Sequence, residues 1–302
     1  MLGGTQTRVK TGQRHLAGSL LAVVYAACGG LMATTFSRFA QGKAAAWLTG
    51  GNFGGGVIGA AFVLWLAQRA SLPVIGIAMA RAHASAGVAR LYNFRTAARI
   101  VLWFQGRFTE MRRECLAVLR SPRRRWGFLL LLAPACTCAA QPLLPAFASH
   151  FGVNANDVLW INGVAGGAVL AAGSLLGILV PGDWDRCLTY VGAGVTNAIG
   201  AMVLLAPNRP SFYFAGTLIY LLSSGFCQAR AVALVMDVVG RDIGDASTWF
   251  SALTAITNIP IAFMIWLEGR MFRDFGIHGL LWTDAAGNLI VFTIVAAVFL
   301  TK

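Results

Sequence analysis

Long apolar segments recur along the whole chain, and they limit its fold more than any other feature. A helix needs about 20 mostly apolar residues to cross the hydrocarbon core of a bilayer. Eight segments reach or approach that length without an acidic residue near the centre: residues 16–36, 45–67, 126–147, 158–180, 187–206, 211–229, 247–267 and 285–301. The pattern predicts an all-α fold, a polytopic bundle of transmembrane helices.

A ninth segment, residues 71–89, is a weaker candidate for a membrane span. It begins with the apolar run SLPVIGIAMA but then places Arg81 and His83 near mid-depth. One arginine at that depth costs about 2.5–3.5 kcal/mol on insertion scales. The segment either spans with support from its neighbours or lies partly at the interface. The sequence therefore predicts about nine helices, eight of them strong and one weak.

The composition agrees with a membrane protein and excludes several other classes. Hydrophobic residues make up 57% of the 302 residues and charged residues only 12%, about half the share usual for a soluble domain. This excludes an ordinary soluble enzyme, a disordered protein and a disulfide-stapled secreted domain. No Walker loop, HExxH or GxSxG motif occurs, and the cysteines and histidines form no metal-binding pattern. We expect no enzymatic activity, no cofactor and no metal.

The net charge of +13 is concentrated in one segment of the chain. Residues 90–125 carry ten arginines, opposed by only two glutamates. The positive-inside rule places such a segment in the cytoplasm, and apolar residues between the arginines are typical of an amphipathic helix on the inner leaflet. The expected partners are the lipid bilayer and, along 90–125, anionic inner-leaflet lipids, but no nucleic acid. The expected location is the inner (cytoplasmic) membrane, crossed many times.

An internal repeat bears on the number of helices. Residues 42–47 (GKAAAW) and 244–249 (GDASTW) share G-x-A-x-x-W, and residues 65–69 (WLAQR) and 266–270 (WLEGR) share W-L-x-x-R. Each pair of motifs brackets one hydrophobic span, which indicates a duplicated helix with the same orientation in both copies. The distribution of basic residues slightly favours eight helices, whereas the repeat requires nine.

Six helices after a long basic loop, preceded by a parallel copy, resemble the major facilitator superfamily (MFS), whose fold has two six-helix halves. The resemblance implies three parts: residues 1–89 as a partial N-terminal half equivalent to helices four to six, residues 90–125 as a basic cytoplasmic linker, and residues 126–302 as the C-terminal half. The first three helices of the family have no counterpart here. The implied function is that of a permease, or a truncated form of one, which moves a small-molecule substrate by alternating access.

Two motifs carry the resemblance further, and both are expected to serve helix packing or gating. One resembles the G-x-x-x-D-R loop that the family places after helices two and eight, where it would act as a cytoplasmic charge latch; the alternative is a tight acidic turn. The other, GGNFGGG at residues 50–56, resembles the family's glycine-rich helix five and the G-N-x-G-G-G signature of nitrate/nitrite porters, but helix eight lacks the arginine that those porters use. The residues concerned are Gly177, Asp183, Asp185 and Arg186 in the first motif, and Gly51, Gly54, Gly55, Gly56 and Gly59 in the second.

Polar residues within the spans are candidates for the substrate path, because polar groups inside a bilayer are costly unless they are paired or wet. Prolines after Gln141 and Ile259 are expected to break two helices and to free backbone carbonyls. The alternative for each candidate is a hydrogen bond between helices. The candidates, some of them chosen by the resemblance, are Tyr25, Asn52, Thr137, Gln141, Asn162, Tyr220, Ser223, Ser224 and Asn258.

All acidic residues are expected in loops or at helix ends, so the sequence predicts no proton-carrying carboxylate inside the eight strong spans. Two function classes remain open. The first is a secondary transporter of a small solute. The second is a non-transporting membrane protein, either a truncated transporter or a structural or regulatory protein derived from one.

Overall fold

A computed structural model of the chain describes residues 22–67, 69, 121–240 and 245–301. Within these ranges the regular structure is helical throughout, without a strand, so the predicted all-α fold is confirmed. The weak span 71–89 and most of the basic linker 90–125 lie outside the described residues. The labelled helices are α1 (Ala22–Thr35), α2 (Arg38–Ala67), α3 (Pro122–Leu131), α4 (Ala155–Leu179), α5 (Arg186–Val203), α6 (Pro210–Val239), α7 (Ala246–Ile256) and α8 (Asn258–Leu300).

Three described segments are long and apolar enough to cross a membrane, and these are Ala155–Leu179, Pro210–Val239 and Ala246–Leu300. They contain the predicted spans at 211–229 and 247–267, and all but the last residue of those at 158–180 and 285–301. Helices α2 and α5 occupy two further predicted spans, and α1 is a shorter apolar helix. The total of nine spans stays a prediction.

Local sequence explains where several helices begin and end. The Asp185 side chain accepts hydrogen bonds from the Cys187 and Leu188 amides at 2.7 and 3.2 Å, so it caps the first turn of α5. Pro210 begins α6, since a proline loses no helical hydrogen bond in the first turn. Gly240 ends the same helix with a φ of +68°, which favours glycine.

Helix α6 lies at the centre of the bundle and packs against α2, α3, α4, α5 and α7. Helices α2 and α4 run antiparallel, because Gly50 lies beside Leu175 while Val57 lies beside Gly167. Helix α5 runs antiparallel to α6, as the contacts Gly200–Tyr220 and Gly216–Leu204 require.

Helix α8 folds back on itself at Gly276 and forms a hairpin. Gly276 has φ +65° and ψ −155°, a backbone conformation that essentially only glycine adopts. Met264 on the first arm lies beside Gly287 on the second, so the two arms are antiparallel. Helix therefore continues between the last two predicted spans, on both sides of a single glycine.

The helix predicted over residues 126–147 is interrupted earlier in the chain than the break expected after Gln141. Helix α3 ends at Leu131, and the chain resumes helical turns only at Gln141–Leu143, Leu144–Phe147 and Ala148–Phe151. Pro134 cannot donate a backbone hydrogen bond and so prevents α3 from continuing. Cys136 and Cys138 adopt φ values of 54° and 51°, which are uncommon for residues other than glycine. We call residues 132–140 the broken segment.

Candidate functional site

A buried polar cluster lies between α5, α6 and α8. The Tyr220 hydroxyl donates a hydrogen bond to Oδ2 of Asp284 at 3.0 Å. One turn along α6, the Asn197 side-chain amide donates to the hydroxyls of Ser223 and Ser224 at 3.1 and 3.2 Å. Three of the predicted path residues, Tyr220, Ser223 and Ser224, thus lie in one network.

Two carboxyl groups meet in this cluster across the α8 hairpin. Glu268 on the first arm and Asp284 on the second are both completely buried, and each lies about one helical turn from the contact between Met264 and Gly287 that joins the two arms. Both carboxylate oxygens of Glu268 and Oδ1 of Asp284 lack a hydrogen-bond donor. The expectation that every acidic residue lies in a loop or at a helix end is wrong, because residues 268–284 are helical arms of a hairpin.

The broken segment is held in place by side chains of the neighbouring helices. The Cys136 amide donates to Oδ1 of Asn288 at 2.8 Å, and the Tyr190 hydroxyl donates to the Ala135 carbonyl at 2.7 Å. The Asn288 side-chain amide also donates to the Asp284 carbonyl at 3.0 Å. These bonds replace helical ones, so the interrupted backbone can remain buried next to the carboxyl pair.

A group of charged residues joins α2 to α5 and α6 at one end of the bundle. Nε of Arg38 pairs with Oδ1 of Asp237 at 2.9 Å. Arg186 donates to the Arg38 carbonyl, and Arg230 donates to the carbonyls of Gly42 and Gly177, at 3.1 Å each. We call Arg38, Arg186, Arg230 and Asp237 the basic latch.

Two guanidinium groups of the basic latch are almost fully buried, with Arg186 2% and Arg230 1% exposed. Burial lowers the pKa of Arg186, and the nearby carboxylate of Asp237 opposes that shift. In the predicted loop motif, Arg186 thus contacts another helix, as a charge latch would. Asp185 instead caps its own helix, as a tight acidic turn would, and Asp183 is exposed.

Small residues line the contact between α2 and α4. A Cβ atom at Gly167 would lie 2.2 Å from Cγ2 of Val57, and one at Gly50 would lie 2.9 Å from Cδ2 of Leu175. Gly54 faces the Cβ of Ala171, 3.7 Å from where its own Cβ would be. We call this contact the α2–α4 seam. The predicted packing residues that meet no described atom within 4 Å are Gly51, Gly55, Gly56 and Gly59.

The remaining predicted path residues are dispersed. Tyr25 stacks near Phe250 on α7, with ring centroids 5.8 Å apart. The Asn162 amide donates to the Tyr213 hydroxyl at 2.9 Å, which is the interhelical hydrogen bond named above as the alternative. The others are Asn52, which is exposed, Thr137, which is buried in the broken segment, Gln141, which is half-buried, and Asn258, which donates to Ala255 of the preceding turn.

The two copies of the W-L-x-x-R motif form the same side-chain arrangement. Arg69 lies over the Trp65 ring at 4.7 Å, and Arg270 lies over the Trp266 ring at 5.1 Å. In each copy a phenylalanine three residues before the tryptophan packs against it, with ring centroids 6.0 and 6.1 Å apart. The sequence repeat therefore corresponds to a repeated structural unit at the ends of α2 and of the first α8 arm.

Several residues of these sites were missed by sequence reasoning. Glu268 and Asp284 were expected in a loop or at a helix end, since each directly adjoins a predicted span, and Gly276 lies midway between them. That spacing is the signal that could have suggested a helical hairpin. The other missed residues, whose partners lie far along the chain, are Arg38, Asn197, Arg230, Asp237 and Asn288.

In comparisons with known proteins, no protein family, no curated protein and no solved structure matches the chain. Over the residues that the structure describes, the fold is all-helical, and three of its segments are long and apolar enough to cross a membrane.

Proposed function

We propose that the chain is a multi-pass protein of the inner membrane that moves a small solute by alternating access, as an MFS-type permease does. The observation that carries this proposal is the α2–α4 seam, which is lined by small residues and closed at one end by the basic latch. A seam of that kind allows the helices on its two sides to move relative to each other. A latch at one end gives the movement two positions, one with the latch bonds formed and one with them broken.

The seam supports movement because of how its side chains meet. Where glycine and alanine face a neighbouring helix, the two backbones approach closely. Gly50 and Gly54 on α2 face Ala171 and Leu175 on α4 in this way. Such a contact permits the small sliding of packed helices that underlies many conformational changes.

The basic latch supports a second position because its bonds are few and lie at one end of the seam. Arg186 and Arg230 reach α2 through backbone carbonyls, and Arg38 reaches α6 through the Asp237 carboxylate. Movement of α2 away from α5 and α6 at that end would break these bonds together. The opposite end of the seam could stay in contact, as in a rocking movement.

Exposed tryptophans support insertion in a bilayer. Trp47 and Trp65 of α2 are 63% and 50% exposed, and about 27 Å of helix rise separates them. Trp160 at the start of α4 lies at the same end of this antiparallel pair as Trp65, and it is also exposed. Tryptophans prefer the two membrane–water interfaces, which are about 30 Å apart across the hydrocarbon core.

The positive-inside rule orients the proposed bundle, with residues 90–125 and the basic latch at the cytoplasmic end. A polar recess of about 370 Å³ at that end is lined in part by Arg38, Arg124 and Asp237. Two arginines against one carboxylate leave the lining with a net positive charge, which suits the headgroups of anionic inner-leaflet lipids. The MFS assignment itself rests on the sequence resemblance.

The test is uptake by liposomes that contain the purified chain, with radiolabelled monosaccharides, amino acids, carboxylates and inorganic anions. We expect at least one of these solutes to enter faster than it enters protein-free liposomes. Gly167→Leu should abolish that uptake, because its side chain would push into Val57 and wedge the seam. Gly192→Leu is the matched control, since a side chain at Gly192 meets open space.

Equal uptake by protein-containing and protein-free liposomes for every solute class, with the chain correctly inserted, would contradict the proposal. That result would favour the alternative class, a structural or regulatory membrane protein that does not transport. If the Gly167→Leu variant still takes up solute, transport does not require movement at the α2–α4 seam.

A further inference from the structure

The carboxyl pair in the α8 hairpin plays no part in the seam or the basic latch. Glu268 and Asp284 are completely buried, and the contact of Met264 with Gly287 places them at matching levels of two antiparallel arms. We propose that the pair is a proton-binding site, in which the Glu268 carboxyl group carries the proton and donates it in a hydrogen bond to Oδ1 of Asp284. The binding step is simple: a carboxylate takes one proton from water, and no other bond changes.

The unpartnered oxygens are the reason for choosing a proton as the ligand. Ionised carboxylates only accept hydrogen bonds, so two facing ones repel each other and leave their oxygens without donors. Three such oxygens, two on Glu268 and Oδ1 of Asp284, lack a donor here. One proton turns one member of the pair into a donor and removes the repulsion between two buried negative charges.

The surrounding bonds decide which member carries the proton. The Tyr220 hydroxyl already donates to Oδ2 of Asp284, and a hydroxyl donates most strongly to an ionised oxygen. Asp284 is therefore the acceptor from both sides, and Glu268 is the donor.

In the described part of the chain, no basic side chain neutralises the carboxyl pair. Within the described part of the chain, no lysine, arginine or histidine forms an ion pair with Glu268 or Asp284. The titratable groups that neighbouring elements turn toward the cluster are tyrosines and thiols, which are neutral when buried: Tyr190 on α5, Tyr220 and Cys227 on α6, and Cys136 and Cys138 on the broken segment.

The pair lies nearer to the turn of the hairpin than to the opposite end of α7 and the first α8 arm. In sequence, Glu268 lies between Trp266 and Arg270, whose cation–π pair is on the exposed face of the first arm. About 12 Å of helix rise separates Glu268 from the turn at Gly276. Proton exchange is therefore expected with the side that holds the turn. Use of this proton to drive solute movement rests on the proposed transport function.

Infrared difference spectroscopy of the full chain in liposomes, titrated with acid and base, tests the site directly. At neutral pH we expect the carbonyl band of one buried protonated carboxyl group, shifted in D₂O. Glu268→Gln should remove the band. Asp274→Asn, which changes an exposed carboxylate near the turn, is the control and should leave it unchanged.

A second variant keeps the test decisive if Glu268→Gln does not fold. Tyr220→Phe removes the hydroxyl that stabilises ionised Asp284, so the band should persist and the midpoint of its disappearance should move to higher pH. A wild-type spectrum with both carboxyls ionised at neutral pH overturns the inference, as does a band that Glu268→Gln leaves intact. The spectroscopic test contains no solute, so it does not depend on transport. If the band is present but the liposomes take up no solute, only the proposed transport function is contradicted.

Discussion

The Tyr220 hydroxyl joins the middle of α6 to the second arm of α8 through a 3.0 Å hydrogen bond to Asp284. Both residues are completely buried. This bond and the Asn288 contact to the broken segment tie three separate parts of the chain to one point. The cluster therefore holds the C-terminal hairpin against the rest of the bundle.

Removal of the hydroxyl should weaken that link. For Tyr220→Phe we expect a loss of about 1–3 kcal/mol in the free energy of unfolding, because a buried charged acceptor loses a donor. Unfolding in mixed detergent micelles measures it. In the Asp284→Asn background the same substitution should cost less, and equal costs in both backgrounds would show that the two residues are not coupled.

Glycine at 173 is expected to be required for the packing of α4 on α6. A Cβ atom there would lie 1.9 Å from the Leu222 carbonyl oxygen, which belongs to backbone and cannot easily move. Gly173→Ala should therefore lower the free energy of unfolding by about 1–3 kcal/mol, as overpacking of a core does.

Gly192→Ala on α5 is the control for this substitution, because it meets open space. It should be neutral or raise stability by up to about 1 kcal/mol through helix propensity. Similar stability changes for both variants would contradict the close approach of α4 and α6.

The turn of the α8 hairpin should not tolerate a side chain. Gly276→Ala places a Cβ atom on a backbone with φ +65° and ψ −155°, at a cost of about 1–3 kcal/mol. Thermal unfolding of the variant in detergent measures this loss. Gly269→Ala, on the helical first arm and also in open space, should unfold at or above the wild-type temperature; a Gly276→Ala midpoint equal to that of Gly269→Ala would argue against the turn.

The ion pair of the basic latch should contribute little to stability. The side chains of Arg38 and Asp237 are 39% and 14% exposed, so solvent screens part of their attraction. A double-mutant cycle with Arg38→Gln and Asp237→Asn should give a coupling energy of about 1 kcal/mol or less. A much larger value would mean that the latch is a rigid structural bond and does not release during movement.

The sequence predicted the helical class and the approximate positions of several helices because apolar composition over about 20 residues depends on local sequence alone. It also marked glycines of α2, of which Gly54 faces α4. Which of the others face a neighbour depends on helix rotation, and that follows from packing with distant segments.

The carboxyl pair and the broken segment were not predictable in the same way. Glu268 and Asp284 were expected in a loop or at a helix end, because ionisable residues are rare inside a bilayer unless they are paired. The break after Leu131 follows from Pro134, but the side chains that stabilise it, Tyr190 and Asn288, lie far along the chain. Such partners are defined by the tertiary fold.

The central claim is that the chain crosses a bilayer repeatedly, with the basic latch on one side and the α8 turn on the other. The test adds one cysteine at a time at two exposed sites, Asp183→Cys beside the latch and Asp274→Cys beside the turn. Intact cells that carry each variant are treated with a membrane-impermeant maleimide. We expect labelling of Asp274→Cys in intact cells and labelling of Asp183→Cys only after permeabilisation, above the background of the unmodified chain. Labelling of both variants from the same side would contradict the account, because α5, α6 and the α7–α8 arm that separate them could not each cross the membrane.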